Sequence, residues 1–253
     1  MSAADRAEEI FWAVHSGLPR EGPGNEASTL RALSATGISG AARVLDVGCG
    51  PGLQTLQLAR ALPEAEITAV DLHKPFLEDL RQRAAAAGLD HRVHVEPGDM
   101  RSLTFAPGTF DLLWSEGAIY NMGVRAALDA WRPLLADGGA VAFTDAVWLK
   151  PDPPEALVRW WQEGYAAMGS LAECLKVVEA AGCSVLEHFV LPESAWWDDY
   201  YTPLENRLTE LRESFADDLA ALAALAPHQL EVDYYRRWSA FYGYLFVIAR
   251  PTG

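Results

Sequence analysis

The 253-residue sequence is poor in cysteine, poor in basic residues and without a long apolar run. Its three cysteines have neither CxxC spacing nor the density of a disulfide framework, and its six histidines show no metal-ligand spacing. No apolar segment approaches membrane-spanning length, and no basic-then-apolar N-terminal segment precedes a cleavage site. We therefore expect a cytoplasmic protein with no metal site and no membrane partner.

The charge balance is strongly acidic. Lys and Arg number 20 and Asp and Glu number 35, which leaves a net charge of −15. Such a surface repels phosphate backbones, so nucleic acid is disfavoured as a partner. Half of the residues are apolar, which indicates a folded chain, and the length suits one large α/β domain. We expect a monomer or homodimer.

Strand and helix patterns alternate along the middle of the chain. Apolar runs predict strands near 43–47, 66–70, 92–96, 110–115 and 139–146, and helical periodicity predicts helices near 53–62, 75–88 and 121–136. Earlier helices are expected over 5–16 and from an Asn25 N-cap to about residue 35. After the break at 151–154, helices over 154–167 and 170–181 precede strands over 184–191 and 244–249. The alternation predicts a mostly parallel, Rossmann-like α/β sheet of seven strands with helices on both faces.

A glycine-rich turn follows the first predicted strand, in the run Asp46-Val-Gly-Cys-Gly-Pro-Gly. Gly48, Gly50 and Gly52 lack the Cβ atoms that would keep a ligand from the backbone, and the following helix points free N–H groups toward the turn. Asp71 ends the next strand, where a carboxylate can accept two hydrogen bonds from a ribose diol. This arrangement predicts a nucleoside-cofactor site; a tight strand–helix turn without a ligand is the alternative.

The spacing of the turn discriminates between cofactors. Dinucleotide enzymes prefer G-x-G-x-x-G, whereas this chain has G-x-G-x-G with Asp46 two residues before the first glycine. An acid at that point repels a pyrophosphate but suits the ammonium group of S-adenosylmethionine. The run Asp46-x-Gly-x-Gly-x-Gly resembles the first motif of the class I S-adenosylmethionine-dependent methyltransferases. Cys49, within the turn, is expected to be a small buried residue rather than a nucleophile.

Residues after the second and third strands are candidates for binding adenine. Asp99 follows the third strand and could accept the adenine amino group, while Met100 lies against the ring. Leu72 would pack against the other face of the ring. The alternative for Asp99 is a loop-capping role.

Two acids lie at the ends of later strands, where ligands of open α/β sheets bind. Glu116 follows the fourth strand and could take a proton from the acceptor, position a cationic amine or balance the sulfonium. The alternative is a structural acid bonded to backbone amides of its own loop. Asp145, at the end of strand five, is open to the same two interpretations.

Several methyltransferase classes are disfavoured by missing residues. Enzymes that methylate exocyclic amines of bases usually carry an Asn-Pro-Pro-Tyr-like turn after strand four, where this chain has Ser115-Glu-Gly-Ala. Cytosine C5 enzymes need a Pro-Cys nucleophile there, and no cysteine qualifies. Metal-dependent catechol-type enzymes need clustered acids, but Asp145 is followed by Ala146.

Residues 192–242 form a helical, aromatic insertion between the last two predicted strands. Methyltransferase sheets of this class end in a hairpin of strands six and seven, so we expect the insertion and the N-terminal helices to cover the cofactor as a lid. Trp196 and Tyr200 could stack on a substrate or hold a cation. The alternative is that they anchor the lid by packing, although at least one ring is expected to face the pocket.

Five motifs together resemble a subgroup of bacterial small-molecule methyltransferases. They are Gly-Pro-Gly at 22–24, Gly-Pro-Gly-Leu-Gln-Thr at 50–55, Trp-Ser-Glu-Gly-Ala-Ile-Tyr-Asn at 114–121, Leu-Pro-Glu at 191–193 and Tyr-Gly-Tyr-Leu-Phe-Val-Ile-Ala at 242–249. The resemblance implies a class I fold, S-adenosylmethionine as cofactor, a small-molecule acceptor, and a loop around Gly24 and Asn25 near the cofactor. The sequence departs from the subgroup at the acidic stretch Trp197-Asp-Asp.

The candidate residues fall into two groups. The cofactor-binding candidates are Asp46, Gly48, Cys49, Gly50, Gly52, Gln54, Asp71, Leu72, Asp99, Met100, Ser115, Gly24 and Asn25. The acceptor-side candidates are Glu116, Tyr120, Asp145, Trp196 and Tyr200. We expect one domain over 1–253, made of N-terminal helices (1–40), a cofactor-binding core (41–150), helices and strand six (151–191), the lid (192–242) and the last strand (243–250).

These features predict methyl transfer from S-adenosylmethionine to an O, N, S or C atom of a small molecule, with S-adenosylhomocysteine as the product. Within the enzymes, an aminopropyltransferase or a dinucleotide-dependent oxidoreductase on a similar fold is the alternative. A non-catalytic protein that binds S-adenosylmethionine, or a scaffold, is the alternative of a different class.

Overall fold

A computed structural model describes residues 3–252 and shows one seven-stranded sheet. The strands are β1 (Arg43–Val47), β2 (Glu66–Asp71), β3 (Val93–Pro97), β4 (Phe110–Ser115), β5 (Leu135–Trp148), β6 (Cys183–Val190) and β7 (Tyr242–Pro251). Their order is β3-β2-β1-β4-β5-β7-β6. Strands β1 to β5 run parallel, and β7 is antiparallel to both β5 and β6. The predicted mostly parallel α/β fold is confirmed.

Helices connect the strands and lie on both faces of the sheet. They are α1 (Ala3–His15), α2 (Glu26–Thr36), α3 (Leu53–Ala61), α4 (Lys74–Ala86), α5 (Val124–Trp131), α6 (Glu155–Gly164), α7 (Leu171–Ala180), α8 (Ser194–Trp196), α9 (Thr202–Ser214) and α10 (Leu219–Trp238). A π-helical segment over Trp197–Tyr201 joins α8 to α9. None of the helices within residues 3–252 is long and apolar enough to cross a bilayer.

The predicted helix over 121–136 is wrong in its extent. A single 3₁₀ turn over Ile119–Asn121 is followed by Gly123 at φ 80°, and α5 begins only after it. A left-handed φ of this kind favours glycine and interrupts a right-handed helix. A second 3₁₀ turn, over Arg132–Leu134, contains Pro133 and leads into β5. Strand β5 is consequently longer than predicted, with 14 residues.

The sheet is buried on both sides, so its central strands are nearly continuous apolar runs. Side chains alternate along β4: Leu112 and Trp114 join the layer beneath α1, α2 and α3, while Leu113 joins the layer beneath α5 and α7. Each of these three side chains is at most 1% exposed. This double burial holds the carboxyl ends of β1, β2 and β4 in place relative to one another.

Helix α1 contacts both the insertion between β6 and β7 and the segment after β2. The Arg6 guanidinium donates to the Asp218 carboxylate at the start of α10 at 2.5 Å, and Arg207 of α9 donates to the Ala13 carbonyl oxygen at 2.9 Å. On the other side of the helix, Trp12 stacks on His73 with ring centroids 3.5 Å apart. Helix α1 therefore contacts both α9–α10 and the loop that follows β2.

Candidate functional site

The glycine turn after β1 folds back onto the end of β2. The N–H groups of Gly48 and Cys49 both donate to the Val70 carbonyl oxygen, at 2.9 and 3.0 Å. Gly48 has φ 72°, and a Cβ there would lie 2.4 Å from the Cβ of Ala118. Glycine is therefore required at position 48 by both the backbone conformation and the space available.

Asp46 lies beneath this turn, fully buried. Its carboxylate accepts hydrogen bonds from the Thr55 hydroxyl at 2.6 Å and the Gln54 amide at 3.3 Å, while Oδ1 has no protein partner. Burial raises the pKa of Asp46 to about 7. The acid thus supports the turn from below and is not one of the residues that line the cavity above it.

Asp71 links the end of β2 to the turn. One carboxylate oxygen accepts the Gly50 N–H at 2.9 Å, and the other accepts the His73 N–H at 2.8 Å. Each oxygen keeps a further lone pair, because an ionised carboxylate can accept about four hydrogen bonds. Asp71 also lines the adjoining cavity, where those lone pairs can meet a diol.

A cavity opens at the carboxyl ends of β1, β2 and β4, where ligands of open α/β sheets bind. Of the predicted residues, Gly48, Cys49, Gly50, Gln54, Asp71, Leu72, Met100, Glu116 and Tyr120 line it. Asp46, Gly52, Asp99, Ser115, Gly24, Asn25, Asp145, Trp196 and Tyr200 do not. The rest of the lining was not among the predicted site residues, although Gly22, Gly117, Ala118 and Asn121 lie within the motifs at 22–24 and 114–121. These further lining residues are Arg20, Glu21, Gly22, Phe76, Gly98, Arg101, Gly117, Ala118 and Asn121.

Glu116 is held by three side chains from different parts of the chain. Arg20 donates to Oε2 at 2.5 Å, whereas the Thr29 hydroxyl and the Trp114 indole N–H donate to Oε1 at 2.8 and 3.0 Å. The carboxylate side chain is 0% exposed and the Arg20 side chain 3%. Both oxygens of Glu116 are thus engaged, and by side chains rather than by the backbone amides of its own loop.

Of the residues predicted to bind adenine, Met100 and Leu72 line the cavity and Asp99 does not. Met100 lines the cavity, and its Cε would lie 3.3 Å from a Cβ on Gly48. The Asp99 carboxylate instead accepts the Arg101 N–H at 2.9 Å and lies outside the cavity lining. This is the loop-capping geometry that the sequence left open for Asp99. Leu72 lies at the cavity and is 62% exposed.

Tyr120 and Tyr244 lie at or near the side of the cavity next to β4. Tyr120 lines the cavity, and a Tyr244 ring carbon lies 4.0 Å from the position that a Cβ on Gly117 would take. Behind Tyr120, the Tyr165 hydroxyl donates to Asp145 at 3.2 Å. Asp145 is 4% exposed, and burial raises its pKa to about 7. Burial also raises the pKa of the Tyr120 hydroxyl, which is therefore protonated at neutral pH.

Trp196 and Tyr200 lie in the packed interior between the insertion and the sheet. The Trp196 ring stacks on Tyr235 with centroids 4.1 Å apart and meets Tyr244 edge-on at 5.1 Å. The Tyr200 hydroxyl donates to Glu231 at 3.1 Å. Both residues are at most 5% exposed, so the packing role left open by the sequence describes their contacts. Neither ring lines the cavity, contrary to the expectation that at least one would face it.

Three other predicted residues shape the surroundings of the cavity. Asn25 is the N-cap of α2 and accepts the Ser28 N–H at 2.9 Å. Ser115 donates its hydroxyl to the Val47 carbonyl oxygen at 2.9 Å, which joins the ends of β4 and β1. Gly24 lies against the Arg20 guanidinium, where a Cβ would be 2.2 Å from Nη2.

The cysteines are free, and each is buried. Burial raises the pKa of the Cys49 thiol well above its usual value, which opposes formation of a nucleophilic thiolate. Residues 3–252 contain no group of three or more His, Cys, Asp and Glu side chains arranged to hold a metal ion.

Arg20 and Glu21 line the cavity but were not predicted as site residues. The signal that could have found them is their position directly before the Gly-Pro-Gly motif at 22–24.

In sequence, the chain is similar to known methyltransferases. Residues 44–139 match a family model described as a methyltransferase domain. The chain is 28% identical over 221 residues to 27-O-demethylrifamycin SV methyltransferase of Amycolatopsis mediterranei, covering 82% of this chain and 76% of that protein. It is 29% identical over 153 residues to malonyl-[acyl-carrier protein] O-methyltransferase of Legionella pneumophila, covering 59% of this chain and 51% of that protein. Against several curated relatives, the chain spans about half of their length or less.

A solved structure shares the fold over nearly the whole chain. It is a SAM-dependent methyltransferase from Geobacter sulfurreducens in complex with S-adenosyl-L-homocysteine. The TM-score is 0.84 at 21% identity, covering 96% of this chain and 98% of the other. The α/β methyltransferase fold is thereby established.

Proposed function

We propose that this protein is a class I methyltransferase that uses S-adenosylmethionine as its methyl donor and a small molecule as its acceptor. The observation that carries the proposal is the cavity formed by the Gly48–Gly50 turn and the Asp71 carboxylate at the carboxyl ends of the parallel strands. The matched methyltransferase-domain segment, 44–139, contains the same turn and the same acid.

The residues at the cavity fit this cofactor. A Cβ on Gly50 would face the cavity with no atom nearer than Glu21 Cγ at 3.5 Å, so the bare backbone leaves that space for a ligand. Asp71 offers its remaining lone pairs to a ribose diol. Met100 supplies a polarizable apolar surface for an adenine ring on the far side of Gly48.

Bound S-adenosylmethionine supplies an electrophilic methyl group on a sulfonium sulfur. The main task of the protein is to align the acceptor with that methyl group and to exclude water, and such alignment can supply ~7–11 kcal/mol of the barrier. A positioned base adds ~10²–10⁴-fold, which is a smaller effect. We therefore expect positioning residues to matter more than any single proton acceptor.

We infer that the acceptor enters beside Tyr120 and Gly117, which line the cavity. Because burial keeps the Tyr120 hydroxyl protonated at neutral pH, that group acts as a hydrogen-bond donor to the acceptor or its surroundings. Asp145 lies outside the cavity lining, its carboxylate accepts the Tyr165 hydroxyl, and burial raises its pKa to about 7, so a proton from the acceptor would reach it only by relay through Tyr165. We further infer that α1 and α8–α10 cover the site.

Calorimetry with S-adenosylmethionine and NAD tests the cofactor. We expect the adenosyl ligand to bind and NAD to fail; binding of NAD alone would contradict the proposal and favour an oxidoreductase. Turnover to S-adenosylhomocysteine in a metabolite extract then separates an enzyme from a protein that only binds the cofactor. The Asp71→Ala variant should lose turnover in the same extract.

A further inference from the structure

Arg20 is a buried cation with unused hydrogen-bond donors. Its side chain is 3% exposed, and Nη2 donates to Glu116 at 2.5 Å. Nε and Nη1 are both buried and have no partner within the protein. A buried N–H without an acceptor is destabilising, and more so on a charged group. The same residue lines the cavity beside the glycine turn, so an acceptor supplied by a ligand would satisfy these donors.

The Arg20 guanidinium is held in place by contacts within the protein. Oε1 of Glu116 accepts hydrogen bonds from the Thr29 hydroxyl of α2 and the Trp114 indole N–H of β4. These two bonds fix the carboxylate, so that its Oε2 faces Arg20. On another side, Gly24 makes room for the guanidinium, because a Cβ there would lie 2.2 Å from Nη2. Arg20 is therefore oriented before any ligand binds.

The chemistry of the free donors selects an anion with two oxygens. Arginine presents a planar fork that matches a carboxylate or phosphate in a bidentate manner. In an adenosyl cofactor with an amino-acid tail, the α-carboxylate is an anion of this kind.

We propose that Arg20 binds the α-carboxylate of the methionine tail of the cofactor and that Glu116 is a positioning residue that orients Arg20. The assignment rests on the proposed function, since it requires an adenosyl cofactor in this cavity. It gives Glu116 a role in binding the cofactor in place of a role as proton acceptor.

Three adenosyl ligands with different tails test the assignment by calorimetry. S-adenosylhomocysteine is a thioether with the whole amino-acid tail, and 5′-methylthioadenosine is a thioether that lacks both the amine and the carboxylate. Decarboxylated S-adenosylmethionine is a sulfonium that keeps the amine but lacks the carboxylate. In Arg20→Met we expect at least about tenfold weaker binding of S-adenosylhomocysteine, with the other two ligands changed by no more than about twofold. Equal loss for all three, or no loss for the first, would overturn the assignment.

Two further variants keep the test decisive. Arg20→Met leaves Glu116 buried without its cation, so the double variant Arg20→Met/Glu116→Gln removes that unpaired charge and should show the same ligand selectivity. Glu116→Gln alone should weaken S-adenosylhomocysteine more than 5′-methylthioadenosine; a purely catalytic Glu116 would leave both affinities unchanged and lower only turnover.

The matched control is Arg31→Met, which removes an exposed arginine of α2 that pairs with Glu187 at 2.7 Å. It should leave the affinities for all three ligands unchanged. If the wild-type protein binds none of the adenosyl ligands, the proposed function itself is wrong. If it binds all of them and the Arg20 variants keep the wild-type selectivity, only the role of Arg20 is wrong.

Discussion

The Asp71 carboxylate accepts the backbone N–H of Gly50 at 2.9 Å, so the last residue of β2 is joined directly to the glycine turn after β1. Two segments that bind different parts of a nucleoside ligand in our proposal therefore share one hydrogen bond. A change in either residue is expected to affect the other.

Asp71→Ala should weaken binding of S-adenosylhomocysteine by ~1.5–3 kcal/mol, the range for hydrogen bonds that involve a charged group. The loss combines the missing contact to the ribose with a looser turn at Gly50. Isothermal titration calorimetry measures it, with Asp90→Ala, an exposed acid before β3, as the control. An unchanged affinity would show that Asp71 is not the ribose ligand.

Gly48→Ala and Gly50→Ala form a matched pair within the turn. Both residues have a left-handed φ, at 72° and 53°, and alanine is strained there by ~1–2 kcal/mol. At position 48 the new methyl group also meets Ala118 at 2.4 Å, which adds ~1–3 kcal/mol of overpacking. Urea unfolding should rank Gly48→Ala as the less stable variant, while both weaken cofactor binding. The reverse order of stability would contradict the geometry of the turn.

Asp145→Asn should change how stability depends on pH. Burial raises the pKa of Asp145 from 3.8 to about 7, so between these values the folded state holds a proton that the unfolded state has released. Raising the pH through this window therefore favours unfolding. Since one pKa unit corresponds to about 1.4 kcal/mol, the variant should gain at least about 1 kcal/mol near pH 8 and nothing near pH 4.

Chemical denaturation at several pH values measures this difference, and Asp137→Asn, an exposed acid on the same strand, is the control. A gain that is equal at every pH would argue against titration of Asp145 as the cause. Loss of turnover in Asp145→Asn with retained cofactor affinity would support Asp145 as the proton acceptor.

Trp196→Ala should destabilise the fold by ~3–5 kcal/mol, as expected when a large buried aromatic side chain is removed. The Trp196 ring stacks on Tyr235 and is 3% exposed, so its loss opens a cavity between the insertion and the sheet. Trp197→Ala, at a partly exposed neighbour, should have a smaller effect in the same urea titration. Full stability combined with lost turnover would instead place Trp196 at the acceptor.

Local patterns were sufficient to predict most of the helices and strands. Alternating apolar runs and helical periodicity located seven strands, and the Asn25 N-cap was predicted at the residue where α2 begins. The error at 121–136 arose because the periodicity of α5 is continuous with its neighbours, while Gly123 and Pro133 impose turns that periodicity does not reveal.

The environment of a side chain could not be predicted in the same way. Glu116 was expected at the acceptor, but its partners Arg20 and Thr29 come from segments 96 and 87 residues away. Trp196 and Tyr200 looked equally suited to a pocket and to a core. Which of these applied depended on long-range contacts with Tyr235 and Glu231 of α10 and Tyr244 of β7, and no local pattern encodes them.

The sequence by itself determined the mostly parallel α/β class, the glycine turn and the position of Asp71, because each depends on residues close together in the chain or on the general topology of parallel sheets. Tertiary structure alone decided that Arg20 meets Glu116 in a buried pair and that Asp46 lies beneath the turn rather than in the cavity. The physical reason is that burial and ion pairing are properties of the assembled interior, where the partners of a charge are chosen by packing rather than by sequence separation.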